Sequence, residues 1–276
     1  MLYIEKTFDA ESAQKWGDSI KHVSLVSSVI YIILTFGIKS YMRDRPGFQL
    51  RGPLFCWNVT LAVFSIIGSI RTIPDLVGAL SNEGWTYSIC DSSVYTGHLG
   101  IWVFVFVYSK LIELGDTAFI VLRKQQLTFL HSYHHVTVLI YCFYSYPQHV
   151  SCGRYYMVLN YSVHSMMYSY FAFKALRFRI PKFISVSITS LQIFQMVVGL
   201  VVSLNVMVLR YRGQECHQTM ENAVAAVLMY FSYFLLFVHF FYKAYAAPVL
   251  AKKVESNGAS SEAKIVGNRR GAKKLD

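Results

Sequence analysis

Residues 129–135 read FLHSYHH, and the apolar stretch VTVLIYCFYSY follows directly. His131, His134 and His135 stand at i, i+3 and i+4, the spacing that puts side chains on one face of a helix. Titratable side chains inside an apolar segment are costly and read as functional by default. Three chemistries fit: metal ligation, proton relay in a transporter, or nucleophilic and general-base attack on an activated acyl group. Burial favours a neutral, nucleophilic imidazole, and a dry cavity would protect a hydrolysis-prone acyl-imidazole from water.

The elements that must position these rings follow from composition. The chain has 276 residues, of which 54% are hydrophobic, 16% aromatic and only 15% charged, against about 25% charge in an ordinary soluble domain. Apolar blocks fall at about 23–42, 54–78, 100–122, 127–146, 154–173, 183–209 and 222–242. Each is near the twenty residues that match a hydrocarbon core roughly 30 Å thick. The expected fold is therefore all-α and polytopic, with seven transmembrane helices packed on one another through their Ser, Thr, Asn and Gln residues.

Charge sets the orientation. Eighteen of the 26 Lys and Arg residues lie in 39–53, 123–126, 174–182 and from 243 onward, and six lie on the opposite side. The positive-inside rule puts the C-terminus in the cytosol and the segment 1–22 outside it. That segment is too long and too acidic for the start of a cleavable signal peptide. The net charge of +11 follows the membrane sides instead of forming a basic patch, which excludes nucleic acid as a partner. Residues 246–276 are polar and poor in aromatics, hence an expected disordered tail. The tail ends in KKLD, placing Lys273 and Lys274 as a dilysine signal that returns membrane proteins to the endoplasmic reticulum. Sequons at Asn58 and Asn160 lie within expected helices and are not expected to carry glycans. Cys56 and Cys142 lie within spans and read as core residues.

Depth brings further polar residues to the histidines. Measured at about 1.5 Å per residue from the cytosolic ends, five helices carry polar side chains to one layer roughly 10–20 Å deep. They are Lys110, Glu113 and Asp116; His134 and His135; Asn160, His164 and Tyr170; Thr189, Gln192 and Gln195; and Tyr233. Asn160, His164 and Tyr168 form one stripe at i, i+4 and i+8. Helix–helix adhesion explains any one of these helices, but poorly explains five converging on one depth. HxxHH also occurs as one histidine box of membrane di-iron desaturases and hydroxylases. Such sites need roughly eight histidines from several boxes, and no second HxxxH or HxxHH exists here. A transporter would suit Lys110, Glu113 and Asp116, but no inverted repeat supports one.

Four ordered motifs, KLIELGDTAFIVLRK (110–124), FLHSYHH (129–135), NYSVHSMMYSY (160–170) and TSLQIFQ (189–195), resemble those of the ELO family of very-long-chain fatty acid elongases. FSYFLLFVHFFYKAY (231–245) resembles its last helix. The resemblance runs from about residue 50 to 245, within an expected helical domain at 23–245. It implies a 3-oxoacyl-CoA synthase of the endoplasmic reticulum that joins acyl-CoA to malonyl-CoA, with helices two to seven around a narrow tunnel and the first helix outside. It implies no bound cofactor and no metal. His134 would be the acyl-accepting nucleophile, His164 a neighbour at the same carbonyl, and His131 and His135 stabilisers of the enolate, with Asn160 and Tyr168 as further donors. CoA contacts would come from Lys110, Arg123, Gln126, His131, Tyr170, Thr189, Gln192 and Lys243. HHVTVLIYCFYSY is closest to the branch acting on saturated and monounsaturated chains, whereas Gln126 is a feature of the polyunsaturated branch. Partners implied are membrane lipid, the ketoacyl-CoA reductase, dehydratase and enoyl reductase of the cycle, and a second copy in a homodimer. The family's pattern also places cysteines at Cys90 and Cys216, implying a lumenal disulfide between them that leaves Cys152 free.

Overall fold

The computed structural model describes residues 2–249; Lys273, Lys274 and most of the expected tail lie outside the described residues. Among the described residues there is no β-strand. Two short N-terminal helices, α1 (Tyr3–Thr7) and α2 (Ala10–Ser19), precede the long helix α3 (Val23–Tyr41). α4 (Arg51–Gly78) runs through a π-helical turn into α5 (Gly84–Cys90). Then come α6 (Gly100–Glu113), α7 (Gly115–Leu122), α8 (Phe129–Ser145), α9 (Gly153–Ala175), α10 (Lys182–Tyr211) and α11 (Met220–Phe241).

By length and composition, four helical stretches can cross a membrane: Val23–Tyr41, Arg51–Cys90, Lys182–Tyr211 and Met220–Val249. The other three expected blocks coincide with α6–α7, α8 and α9. The third block is broken at Leu114, α8 has 17 residues, and α9 is diluted by Asn160, His164 and many Ser and Tyr residues. These helices carry most of the titratable side chains of the site, which is why apolar length alone does not pick them out.

Large apolar side chains cover the outward faces and polar side chains are frequent inside, unlike the pattern of a soluble protein. Outward faces expose Val26, Ile30, Ile33 and Phe36 on α3, Phe194 and Val201 on α10, and Phe231 and Leu235 on α11. Interior positions hold Asn58, Ser65, Ser69, Thr72, Asn160 and Gln195. Such a surface suits lipid, not water. Cys142 is buried, but Cys56 is exposed on α4, so the expectation of a core position fails there. Its helix is turned so that Trp57 and Asn58, not Cys56, face inward. Asn58 and Asn160 are both buried in helices.

Neighbouring helices pack as α4 on α9, α9 on α10, α10 on α11, α11 on α8, α8 on α6 and α6 on α4, while α3 packs on α7 and α8. One end of the assembly is tied by polar groups. Cys90 and Cys216 are bonded, with Cα atoms 4.2 Å apart. Arg154, in the first turn of α9, is only 1% exposed. Its guanidinium donates to Asp75 and Asp91 at 2.9 Å each and to the Ser88 carbonyl at 3.3 Å. Buried Glu5 accepts from Arg71 at 2.6 and 2.8 Å and from Trp102 at 2.7 Å, fastening α1 to the bundle.

This clamp has a pH signature. Burial alone would raise the Glu5 carboxyl, but hydrogen bonds from Arg71, Trp102 and the Leu2 amide, with the Arg71 charge, outweigh it and hold its pKa at about 2. A depressed carboxyl contributes stability above its unfolded value of 4.5 and loses it as pH falls from there through about 2. The Tm of the detergent-purified protein should therefore exceed that of Glu5→Gln by a few degrees at pH 6, with the gap narrowing towards pH 3. An equal gap at both values would show that Glu5 acts through shape alone.

Candidate active site

The N-cap of α8 sets the histidines in place. The Thr128 hydroxyl accepts from the His131 amide at 3.3 Å, fixing the first turn that carries His131 and the next that carries His134 and His135. The three rings form a compact group, with His131 and His135 centroids 4.3 Å apart and His134 and His135 5.6 Å apart.

The group lines a chamber of about 570 Å³ to which α4 and α6 through α11 all contribute. His131, His134, His135, Asn160, His164, Tyr168, Tyr170, Arg123, Thr189 and Gln192 all lie on its wall. Below it is a narrow, mostly apolar pocket of about 60 Å³, walled by Phe106, Tyr141, Tyr146, Tyr156 and Tyr230 among others. His134, Asn160, Gln195 and Met196 are common to both walls. His134 thus stands at the junction of a histidine-lined chamber and an apolar pocket.

Two networks, the first buried and the second half-buried, frame the junction. In the first, the Lys110 ammonium donates to Glu113 Oε1 and Asn160 Oδ1, each at 2.8 Å. With its oxygen so held, Asn160 presents Nδ2 to His164 Nε2 at 3.1 Å. Nε2 is therefore the acceptor, and the proton of a neutral His164 sits on Nδ1, 3.9 Å from Glu113. In the second, Asp116 accepts from Trp57 Nε1 at 2.6 Å and from the Tyr168 hydroxyl at 2.8 Å. Gly115 makes this possible: a Cβ there would lie 2.8 Å from the Trp57 indole.

The two reactive candidates differ in consequence. The His164 electron pair is engaged by Asn160, whereas neither ring nitrogen of His134 has a hydrogen-bond partner among the described residues. Backbone contacts hold His134 instead: its carbonyl accepts from Tyr233 at 3.4 Å, and Tyr233 is hydrogen-bonded to Thr137 at 2.6 Å.

Three residues with CoA roles implied by the resemblance sit elsewhere. Lys110 is 2% exposed and locked in the ion pair, while Gln126 and Lys243 are exposed and stand off the chamber wall. Gln125 and Tyr245 occupy the wall instead. Asn58 and Trp57, from a helix the depth argument left out, had a readable signal: an Asn and a Trp side by side in the first turns of an apolar block. Among the described residues no group of three or more His, Cys, Asp or Glu is placed to hold a metal ion.

Fold and site together define a helical membrane protein with a histidine-lined chamber leading to an apolar pocket. Residues 16–253 match the ELO family, described as the GNS1/SUR4 family. The chain is 50% identical over 223 residues to very long chain fatty acid elongase 6 of Drosophila melanogaster, covering 79% of this chain and 71% of that protein. It is 44% identical over 253 residues to very long chain fatty acid elongase 6 of Gallus gallus, covering 91% and 95%. The protein of the same name in Homo sapiens is 44% identical over 242 residues, covering 87% and 91%. The chain belongs to the ELO family.

Proposed function

We propose that His134 carries the acyl group between two substrates in a ping-pong condensation. The chain is a fatty acid elongase, and its reaction joins acyl-CoA to malonyl-CoA to give 3-oxoacyl-CoA, CO₂ and CoA. In the first half, the free electron pair of His134 attacks the thioester carbonyl. The C–S bond breaks, and the imidazole proton passes to the departing CoA thiolate. In the second half, malonyl-CoA loses CO₂, and the electron pair of the broken C–C bond forms an enolate. Its carbon attacks the acyl carbon, the C–N bond breaks, and His134 takes a proton from solvent. His131 and His135 line the same chamber as His134, and as preorganised donors they would stabilise the enolate charge.

One observation carries the reading: His134 is at the junction of the two cavities with both nitrogens unengaged. The apolar pocket would take the acyl tail. At about 60 Å³ it is too small for a long chain as it stands, so the tail must part its aromatic walls. The chamber would take the pantetheine arm, with Arg123, His131, Tyr170, Thr189 and Gln192 as contacts and Gln126 and Lys243 reaching from the rim. We further assign seven transmembrane helices, six ringing the tunnel with α3 outside. The open end would face the cytosol, and the disulfide end the lumen of the endoplasmic reticulum. Elongation also requires a ketoacyl-CoA reductase, a dehydratase and an enoyl reductase to consume the product. Homodimerisation and retrieval through Lys273 and Lys274 complete the proposal.

The test is purified protein with palmitoyl-CoA and malonyl-CoA labelled in the free carboxyl. Labelled CO₂ should appear only when acyl-CoA is present, and a panel of acyl-CoAs should favour saturated and monounsaturated chains. Release that ignores acyl-CoA would overturn the scheme. No step needs a metal, so chelators should leave the rate unchanged and elemental analysis should find no stoichiometric iron. Iron that tracks activity would revive an oxygenase reading.

A further inference from the structure

His131 is reached from a helix that packs outside the chamber. Tyr31, on α3, lies 2.9 Å from Thr117 Oγ1 through its hydroxyl, and Thr117 Oγ1 lies 2.9 Å from His131 Nε2. Tyr31 is 7% exposed and Thr117 2%. Both also border a mostly apolar cleft between α3 and the α6–α7 segment, lined by Ile30, Leu34, Leu111 and Ala118. α3 contributes no residue to either wall of the chamber and pocket.

The two hydrogen bonds have a direction. Thr117 Oγ1 is the hydrogen-bond partner of the Tyr31 hydroxyl, and in these apolar surroundings the phenol proton belongs there. Thr117 then has its own proton left for His131 Nε2, which accepts with its electron pair. If His131 instead donated from Nε2, a proton would be stranded either way: that of the phenol if Thr117 donated to Tyr31, or that of Thr117 itself if it accepted from both. The forward order therefore puts the proton of a neutral His131 on Nδ1, and that proton is the one His131 can offer to a ligand in the chamber.

We infer that Tyr31 and Thr117 are positioning residues for condensation, a two-link relay through which the outer helix fixes the tautomer and orientation of His131. Neither touches the reacting atoms. The inference rests on the chamber being the site of condensation, with His131 donating to the developing enolate. It also gives α3 a part in turnover beyond anchorage: a displacement of α3 that broke the 2.9 Å contact would loosen the hold of Thr117 on the His131 ring.

Four variants test this by steady-state condensation kinetics, with Tm measured for each. Tyr31→Phe keeps the ring and removes the hydroxyl. It should lower kcat by about two- to tenfold, the worth of one neutral hydrogen bond, with any change in KM for the CoA substrates smaller than the loss in kcat. Thr117→Val leaves Nε2 without its donor and should lower kcat by about ten- to a hundredfold. Thr117→Ser restores the hydroxyl and should return kcat to near the wild-type value. Because the links are in series, Tyr31→Phe should cost nothing further in the Thr117→Val background. A wild-type kcat in Tyr31→Phe, or the same factor lost again in the double variant, would overturn the relay. Should Thr117→Val fail to fold, Tyr31→Phe with Thr117→Ser still decides it: a loss confined to KM or Tm would show packing alone. The wild type measured alongside separates the two readings, since failure of the wild type to condense would instead sink the proposed function.

Discussion

Replacing His134 by alanine is expected to cut condensation by about a thousandfold or more, the scale at which losing a covalent nucleophile is felt. The protein should still fold. The His134 ring has no hydrogen-bond partner to abandon, so truncation leaves no buried donor or acceptor unmet. What holds the residue is its backbone carbonyl, gripped by Tyr233 at 3.4 Å, and alanine keeps that group. The half-reactions sharpen the test. Wild type incubated with acyl-CoA alone should release CoA and gain the mass of one acyl group; His134→Ala should do neither, at an unchanged Tm. More than a few per cent of wild-type turnover, or an acyl adduct on the variant, would show that another residue takes the acyl group. His164 is the natural rival, but its accepting nitrogen is already held by Asn160 at 3.1 Å, so it must first lose that bond.

How much of this was legible in the sequence depends on which coordinate of a helix is asked for. Depth follows from residue count and a rise of about 1.5 Å, and the layer of His134, Asn160, His164, Gln192 and Tyr233 was readable that way. Azimuth is set by packing, and counting does not give it. Lys110 lies on a helix that reaches the layer, yet its ammonium turns sideways into Glu113 and Asn160 and not up to the chamber mouth. The same freedom turns Cys56 outward and brings in Trp57, whose approach to Asp116 depends on the missing side chain of Gly115. Loop residues are less legible still: Gln125, not its neighbour Gln126, reaches the wall, a choice made by the chain reversal at Lys124, where φ is 55°. Tyr31 and Thr117 gave no signal at all, because a hydroxyl in an apolar helix is ordinary helix adhesion until its partner is known. The span count was legible in part: four helices stand out by apolar length and composition, and the polar residues of α6–α7, α8 and α9 are what keep those three from reading as simple apolar helices.

The second large effect concerns Lys110. Its ammonium is 2% exposed, lies 4.3 Å over the Phe106 ring, and neutralises Glu113, whose carboxylate also accepts from Ser109 at 3.0 Å. Lys110→Met keeps the stem and removes the charge, leaving Glu113 buried without its cation, a change that costs about 3–5 kcal/mol. Tm should fall by several degrees, and kcat should fall with it, because Asn160 loses the contact that fixes which end of its amide faces His164. Pairing the change with Glu113→Gln separates these consequences. The double variant carries no uncompensated charge, so stability should largely return, as it does when a buried ion pair is replaced whole. Activity should not return, since Asn160 is still unanchored and the His164 tautomer still unset. The measurements are Tm and condensation kinetics on the single and double variants. The family resemblance implied a different part for this residue, a contact to CoA. In that case Lys110→Met would raise KM for acyl-CoA at an unchanged Tm, and that pattern would overturn the buried ion pair as the reason the lysine is there.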